Sequence, residues 1–249
     1  MALKSILRGG YQALRRLGLA LSAPRLDRHY LGADIPAPQR AVHGALPGLV
    51  AEAAGRPGMR VLEIGAREVT GAYGLREQLG AATYVGFDVY PGPNVDVVGD
   101  AHRLSSYFDE PFDVVFSSAV FEHLAMPWVV AEEIAAVLKV GGLLFIETHF
   151  AYGAHERPWN FFQFSDMGLK VLFGEPLGFE CLEASLQTPI VGRFSHLAPP
   201  YLRYRPVTGL YCHAIYVGRK VREPNPDFRW RDLDLTAVVG ETRYPQAKA

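Results

Sequence analysis

The chain has 249 residues, 49% of them hydrophobic, which is enough to bury one good core and reads as one α/β domain with flanking segments. A formal net charge of -1 argues against nucleic acid as the main partner, because phosphate binding needs a basic surface. Cys181 and Cys212 are the only cysteines and lack paired spacing, so they read as reduced, buried thiols in a cytosolic protein.

Residues 1–21 make a basic amphipathic stretch. Leu3, Ile6, Leu7, Leu14, Leu17 and Leu21 share one face at helical period, with Lys4, Arg8, Arg15 and Arg16 off it. Two readings stand. The helix lies on an anionic membrane surface, giving peripheral contact at the inner face of the membrane, or it packs on protein. No apolar run of about 18 residues or more exists, so no membrane span is expected. Residues 27–38 read as a connector, with Gly32, Pro36 and Pro38, and residues 40–54 as a helix despite Pro47.

Val61, Leu62 and Ile64 then form a short buried strand, interrupted near its carboxyl end by Glu63 and closed by Gly65. In an open parallel sheet, ligands bind at that end, where the first strand hands over to its helix. Residues 72–79 are the expected crossover helix. Residues 84–88 form the next strand and end on Asp88, about 20 residues past the glycine turn, a distance suited to holding ribose hydroxyls. Residues 95–98 form a third strand, followed by Asp100, which can accept from an exocyclic amine. Three strand ends thus carry carboxylates. They would repel a pyrophosphate and suit a cationic, phosphate-free nucleoside.

Residues 112–116 predict a strand ending at Ser117, and Pro127 opens a helix that Gly141-Gly142 should stop before a strand over 143–146. Ser165 is the expected N-cap of a helix to Leu172. Residues 179–184 and 213–217 are the last two strands, separated by a proline-rich insertion over 187–209. The whole predicts a Rossmann-like, doubly wound sheet of about seven strands, mostly parallel, with the last strand antiparallel.

The series VLEIGA, YVGFDVY, GDAHRL, FDVVFSSAVFEHL and LKVGGLLFIETHF resembles the class I S-adenosylmethionine-dependent methyltransferases, over residues 60–150. The resemblance implies S-adenosylmethionine as cofactor. It places Glu63, Gly65, Ala66 and Arg67 at the methionine part, Asp88 at the ribose, Asp100 and Ala101 at the adenine, and Ser117 beneath. Arg67 and Val69 stand where many members carry two further glycines. It also divides the chain into an N-terminal helix and connector (1–45), a methyltransferase domain (46–222) and a polar tail (223–249).

An alcohol acceptor must lose its proton as it is methylated, most simply to a histidine. His155 is the first candidate base, with His123 and His149 beside it. Glu122-His123 supplies one carboxylate and one imidazole, a poor cage for a hard cation, so no metal is expected. Trp159, Asn160, Phe162 and Gln163 belong to an aromatic and polar run that suits a sugar or ring; its rings also suit a core edge. This run resembles a segment of bacterial glycan and natural-product O-methyltransferases, with Asn160 and Gln163 where an acid and an arginine stand. The expected function is O-methylation of a glycan or small polyol. N- or C-methylation of a small metabolite and a non-catalytic scaffold are the alternatives. A nicotinamide reductase is disfavoured, since no Gly-x-Gly-x-x-Gly turn follows the first strand.

Overall fold

The computed structural model describes residues 30–241, apart from Ala33, Thr70, Ala72 and Tyr73, together with Gly10, Leu14 and Leu17. The expected amphipathic helix over 1–21 therefore lies, but for three positions, outside the described residues. By internal contacts the chain forms two units. One joins residues up to 33 with 189–210; the other takes 34–188 and 211–249 and carries the candidate site.

The second unit is built on strands β1 (Arg60–Ile64), β2 (Thr83–Asp88), β3 (Val97–Val98), β4 (Phe112–Ser118), β5 (Leu138–His149), β6 (Phe179–Pro189) and β9 (Tyr211–Lys220). Their order in the sheet is β3-β2-β1-β4-β5-β9-β6. β1 pairs in parallel with both β2 and β4, and β5 pairs in parallel with β4 and antiparallel with β9. From β1 the chain winds outward to β2 and β3, then returns to β4 on the other side. The reversal makes a switch point between β1 and β4, and the crevice above their carboxyl ends is where such sheets bind ligands. The short strands β7 (Gly192–Arg193) and β8 (Pro206–Val207) form a hairpin in the first unit, within the expected insertion.

Side chains alternate across the pleat, and both faces are covered. Leu62, Ile64, Val115, Leu144 and Ile146 face one core. It also takes Val130 and Ile134 of a helix over Pro127–Val137 (α3), and Leu169 of a helix over Asp166–Leu172 (α4). Val61, Val114, Phe116 and Phe145 face the other. There they meet Leu46 and Val50 of a helix over Leu46–Ala54 (α1) and Leu75 of a short helix over Leu75–Gln78 (α2). Pro47 and Pro127 sit in first turns, where the missing N–H has no intrahelical partner to lose. Ser165 caps α4 as expected, its Oγ accepting from Gly168 N at 3.0 Å. α3 ends at Val137, earlier than the glycine pair. Leu138 is already extended and pairs with Phe112, and the Gly141 region forms a bulge before Leu143 pairs with Val114. Past Arg222, Trp230 Nε1 donates to Glu132 at 2.7 Å, and Phe228 and Trp230 pack on the core.

Candidate active site

Glu63, Asp88 and Asp100 stand at the carboxyl ends of β1, β2 and β3, three neighbours in the sheet. Glu63 is buried and accepts from the Tyr84 hydroxyl at 2.5 Å. That hydroxyl also accepts from Asn94 Nδ2 at 2.8 Å, and the Arg76 guanidinium lies 4.2 Å above the Tyr84 ring. Burial pushes the Glu63 carboxyl above its usual range, against the pull of the Tyr84 hydroxyl and the Arg76 charge. Asp88 Oδ1 accepts from Tyr90 N at 2.9 Å and Oδ2 from Arg67 N at 3.3 Å, with Arg67 Nε 3.6 Å from Oδ1. Asp100 is the more exposed acid and accepts from His102 N. Its slight burial acts to raise the carboxyl, and the His102 bonds and the Arg103 charge outweigh that and hold it low.

The loop after β1 approaches its neighbours closely. Gly65 has φ +82, and its N–H and that of Ala66 both donate to Phe87 O. A Cβ at Gly65 would fall 2.1 Å from Val120 Cγ2. Between β1 and β5, the fully buried Ser117 Oγ has no hydrogen-bond partner.

The segment after β4 turns sharply. Ala119 takes φ +54, a left-handed conformation that costs a non-glycine residue about 1–2 kcal/mol. The turn lays Val120 against Gly65, and Glu122, two residues on, is fully buried. Glu122 Oε2 accepts from Thr148 Oγ1 at 2.6 Å. His149 Nδ1 lies 2.6 Å from Glu122 Oε1, an ion-pair distance, though neither atom has a regular hydrogen bond by angle. Burial acts to raise the Glu122 carboxyl; the His149 and Thr148 contacts and the His149 charge outweigh it and hold the group low.

Two further histidines close around this pair. The His155 ring meets the rings of His123, His149 and Tyr152 edge-on at 4.9, 5.3 and 5.4 Å, and Tyr152 stacks on His149 at 4.4 Å. The three histidines singled out from the sequence thus gather around one buried carboxylate. The acceptor candidates are more scattered. Trp159 and Phe162 are exposed, Asn160 is half-buried, and Gln163 Nε2 donates to Tyr152 O at 3.0 Å, so it braces the loop that carries Tyr152 and His155.

Several participants were not anticipated. Glu147, near the end of β5, accepts from Ser118 Oγ at 2.9 Å and pairs with His43 Nδ1 at 2.9 Å. His43 stacks on His213, whose Nδ1 contacts Thr188 Oγ1 at 3.0 Å. Burial lowers the His213 imidazole, favouring its neutral form. The signal was present in Glu147-Thr148-His149, an acid and a histidine on one face of a strand at its ligand end.

A family model described as a methyltransferase domain matches residues 39–170, more than half of the chain. The chain belongs to this methyltransferase-domain family. The fold agrees: the YcgJ protein of Bacillus subtilis superposes with a TM-score of 0.50 at 17% identity, over 72% of this chain and 100% of that one. The [4+2]-cyclase SpnF gives 0.50 at 20%, over 83% and 90%. A SAM-dependent methyltransferase from Archaeoglobus fulgidus gives 0.49 at 16%, over 71% and 92%. No curated protein matches the sequence.

The chain is an S-adenosylmethionine-dependent methyltransferase, with that sulfonium nucleoside as its cofactor. The residues present fit the group. Carboxylates line the rim, and the orphaned Ser117 Oγ lies between β1 and β5. Among the described residues no helix is long and apolar enough to cross a membrane.

Proposed function

We propose that this methyltransferase methylates a hydroxyl of a sugar or related small polyol. The cofactor supplies an electrophilic methyl carbon on a cationic sulfur. Asp88 holds the ribose hydroxyls, Asp100 and Ala101 flank the adenine, and Glu63, Gly65, Ala66 and Arg67 surround the methionine end, above Ser117. The observation that carries the hydroxyl reading is His149 set against the buried Glu122 carboxylate, 2.6 Å away. Glu122 orients the ring through Nδ1 and stabilises the imidazolium, which leaves Nε2 to take the acceptor proton. With the cofactor held by those residues, transfer of its methyl group to the acceptor oxygen would be matched by loss of the acceptor proton to His149 Nε2 and would leave a neutral thioether. The exposed rings of Tyr152, Trp159 and Phe162 offer flat surfaces for a sugar.

Val120 joins the two halves of the site, since it touches the Gly65 loop while Glu122, two residues on, holds His149. His149→Ala should lower kcat by about 10²–10⁴-fold, the usual worth of a positioned base, with S-adenosylhomocysteine affinity unchanged. The assay incubates enzyme and labelled cofactor with a panel of glycans and small polyols. Turnover by His149→Ala close to wild type would refute the imidazole base; labelled products carrying N-methyl or C-methyl groups would refute the hydroxyl acceptor.

A further inference from the structure

Among the described residues, three groups bring three donor side chains close enough to share a metal ion: His43–Glu147–His213, His149–Cys212–His213 and Glu122–His123–His155. Ring geometry separates them. A cation bound through an imidazole nitrogen lies in the plane of that ring, along the lone pair. The His43 and His213 rings are stacked 4.0 Å apart and only 9° from parallel, so their planes do not meet at a shared ion. In the second group Cys212 Sγ and His213 Nε2 are engaged with each other at 3.5 Å, and His149 Nδ1 is turned to Glu122 at 2.6 Å.

The third group meets the requirements. The His123 and His155 planes cross at 84°. His123 Nδ1 contacts Trp159 O at 2.5 Å and His155 Nδ1 contacts Gly153 O at 2.9 Å. Each carbonyl fixes the proton on Nδ1 and leaves the Nε2 lone pair free, as in histidines that ligate metals. The carboxylate between them is fully buried, and Thr148 orients it through Oε2. Its Oε1 has no hydrogen-bond partner and lies 3.9 Å from His123 Nε2. One ligand atom from each of the three residues lies within 4.8 Å of the other two. Bonds of about 2.0–2.1 Å to a tetrahedral ion need donors about 3.4 Å apart, so a small inward rotation completes the set.

We propose that Glu122, His123 and His155 bind a borderline divalent cation of the zinc, cobalt and iron(II) class. Two imidazoles and one carboxylate suit these ions, whereas magnesium and calcium prefer all-oxygen cages. Oε1 has two lone pairs, so it can meet the cation and His149 together. Three protein ligands leave a position open for the acceptor. There the ion would bind the acceptor oxygen and make its proton easier for His149 to take. That role rests on the hydroxyl-acceptor reading; the ligand set does not.

The test uses the full chain, stripped with a chelator and titrated with Co²⁺, whose visible absorption reports its ligands, while heat uptake gives the affinity. Wild type should bind Co²⁺ stoichiometrically, without the near-ultraviolet band of a thiolate ligand, and Zn²⁺ should displace it. His123→Ala and His155→Ala should each abolish the spectrum. Thr148→Val should weaken binding by about 10–100-fold, as expected for loss of an orienting partner. His213→Ala should leave the spectrum unchanged. No spectrum with wild type, or one that survives the double His123→Ala, His155→Ala variant, overturns the proposal; so does a spectrum lost in His213→Ala. Because the readout is cobalt itself, an acceptor of another kind would leave these results standing.

Discussion

Glu63 is held in a state that the protein without ligand would do better to avoid. Its carboxyl is buried at the tip of β1, and that burial lifts its proton affinity above that of an unfolded chain. The folded protein therefore binds the Glu63 proton more tightly than the unfolded one. The associated stability is present below the ordinary carboxylate range, near 4.5, and is lost as pH rises through the raised value. Near neutral pH the ionised group is a net burden on the unliganded fold, and on the function proposed above a cationic donor would offset it. Glu63→Gln keeps an oxygen for the Tyr84 hydroxyl and removes the charge. It should raise the melting temperature of the ligand-free protein at pH 7 and weaken S-adenosylhomocysteine binding. A thermal melt paired with calorimetric titration checks both; a variant that is less stable and binds normally would show that Glu63 only supports the fold. Glu122 behaves in the opposite sense. Its carboxyl is held low, so its stabilisation is present above the ordinary range and fades as pH falls through the depressed value.

The segment from Ser117 to His123 does more than end a strand. Ser117 lies between β1 and β5, Ala119 makes the left-handed turn, Val120 presses on Gly65, and Glu122 reaches His149. Gly65→Ala tests this wedge. The new methyl would stand 2.1 Å from Val120 Cγ2, on a backbone at φ +82. Strain of about 1–3 kcal/mol comes from the backbone, and a similar amount from overpacking. Val120→Ala in the same chain should recover the packing part and leave the backbone part. Urea unfolding separates the two, and full recovery by Val120→Ala would mean that the left-handed turn carries no strain. The sequence made the carboxylate rim legible because each acid closes an apolar run, so its place on the sheet follows from one-dimensional order. The gathering of His123, His149 and His155 was not legible. It joins residues from the ends of two strands and a following loop, and only the turn at Ala119 and the burial of Glu122 show which histidine has an acid behind it. The early end of α3 was hidden for a similar reason: Leu138 suits a helix locally, and pairing with Phe112 wins it for the sheet. Likewise the bond from Gln163, part of the run read as suiting a sugar or ring, to the carbonyl of Tyr152 has no signature in the sequence.

The doubly wound sheet explains why ligand and fold should report on each other. Its reversal between β1 and β4 leaves the crevice bounded by loops instead of by a continuous ladder, and the rim on the β2 side depends on one carboxylate. Asp88 ties the β1 loop to the β2 end by accepting from Arg67 N and Tyr90 N. A ligand that grips Asp88 thus adds to bonds that already close the sheet edge, and it binds only when that edge is folded. At about one hundred times its Kd, such a ligand stabilises the folded state by about 2.7 kcal/mol. For a protein of this length each kcal/mol moves the melting temperature by about 2–4 °C, so S-adenosylhomocysteine should raise it by about 5–11 °C. In Asp88→Ala the proposed ribose grip and both backbone ties are lost together, so the unliganded protein should melt lower and the ligand-induced rise should nearly vanish. NADPH should give no rise with either chain, because its pyrophosphate meets a carboxylate rim with no glycine-rich cradle. A full shift in Asp88→Ala would mean that the nucleoside is held elsewhere, and a shift with NADPH would mean that the three acids do not select against phosphate.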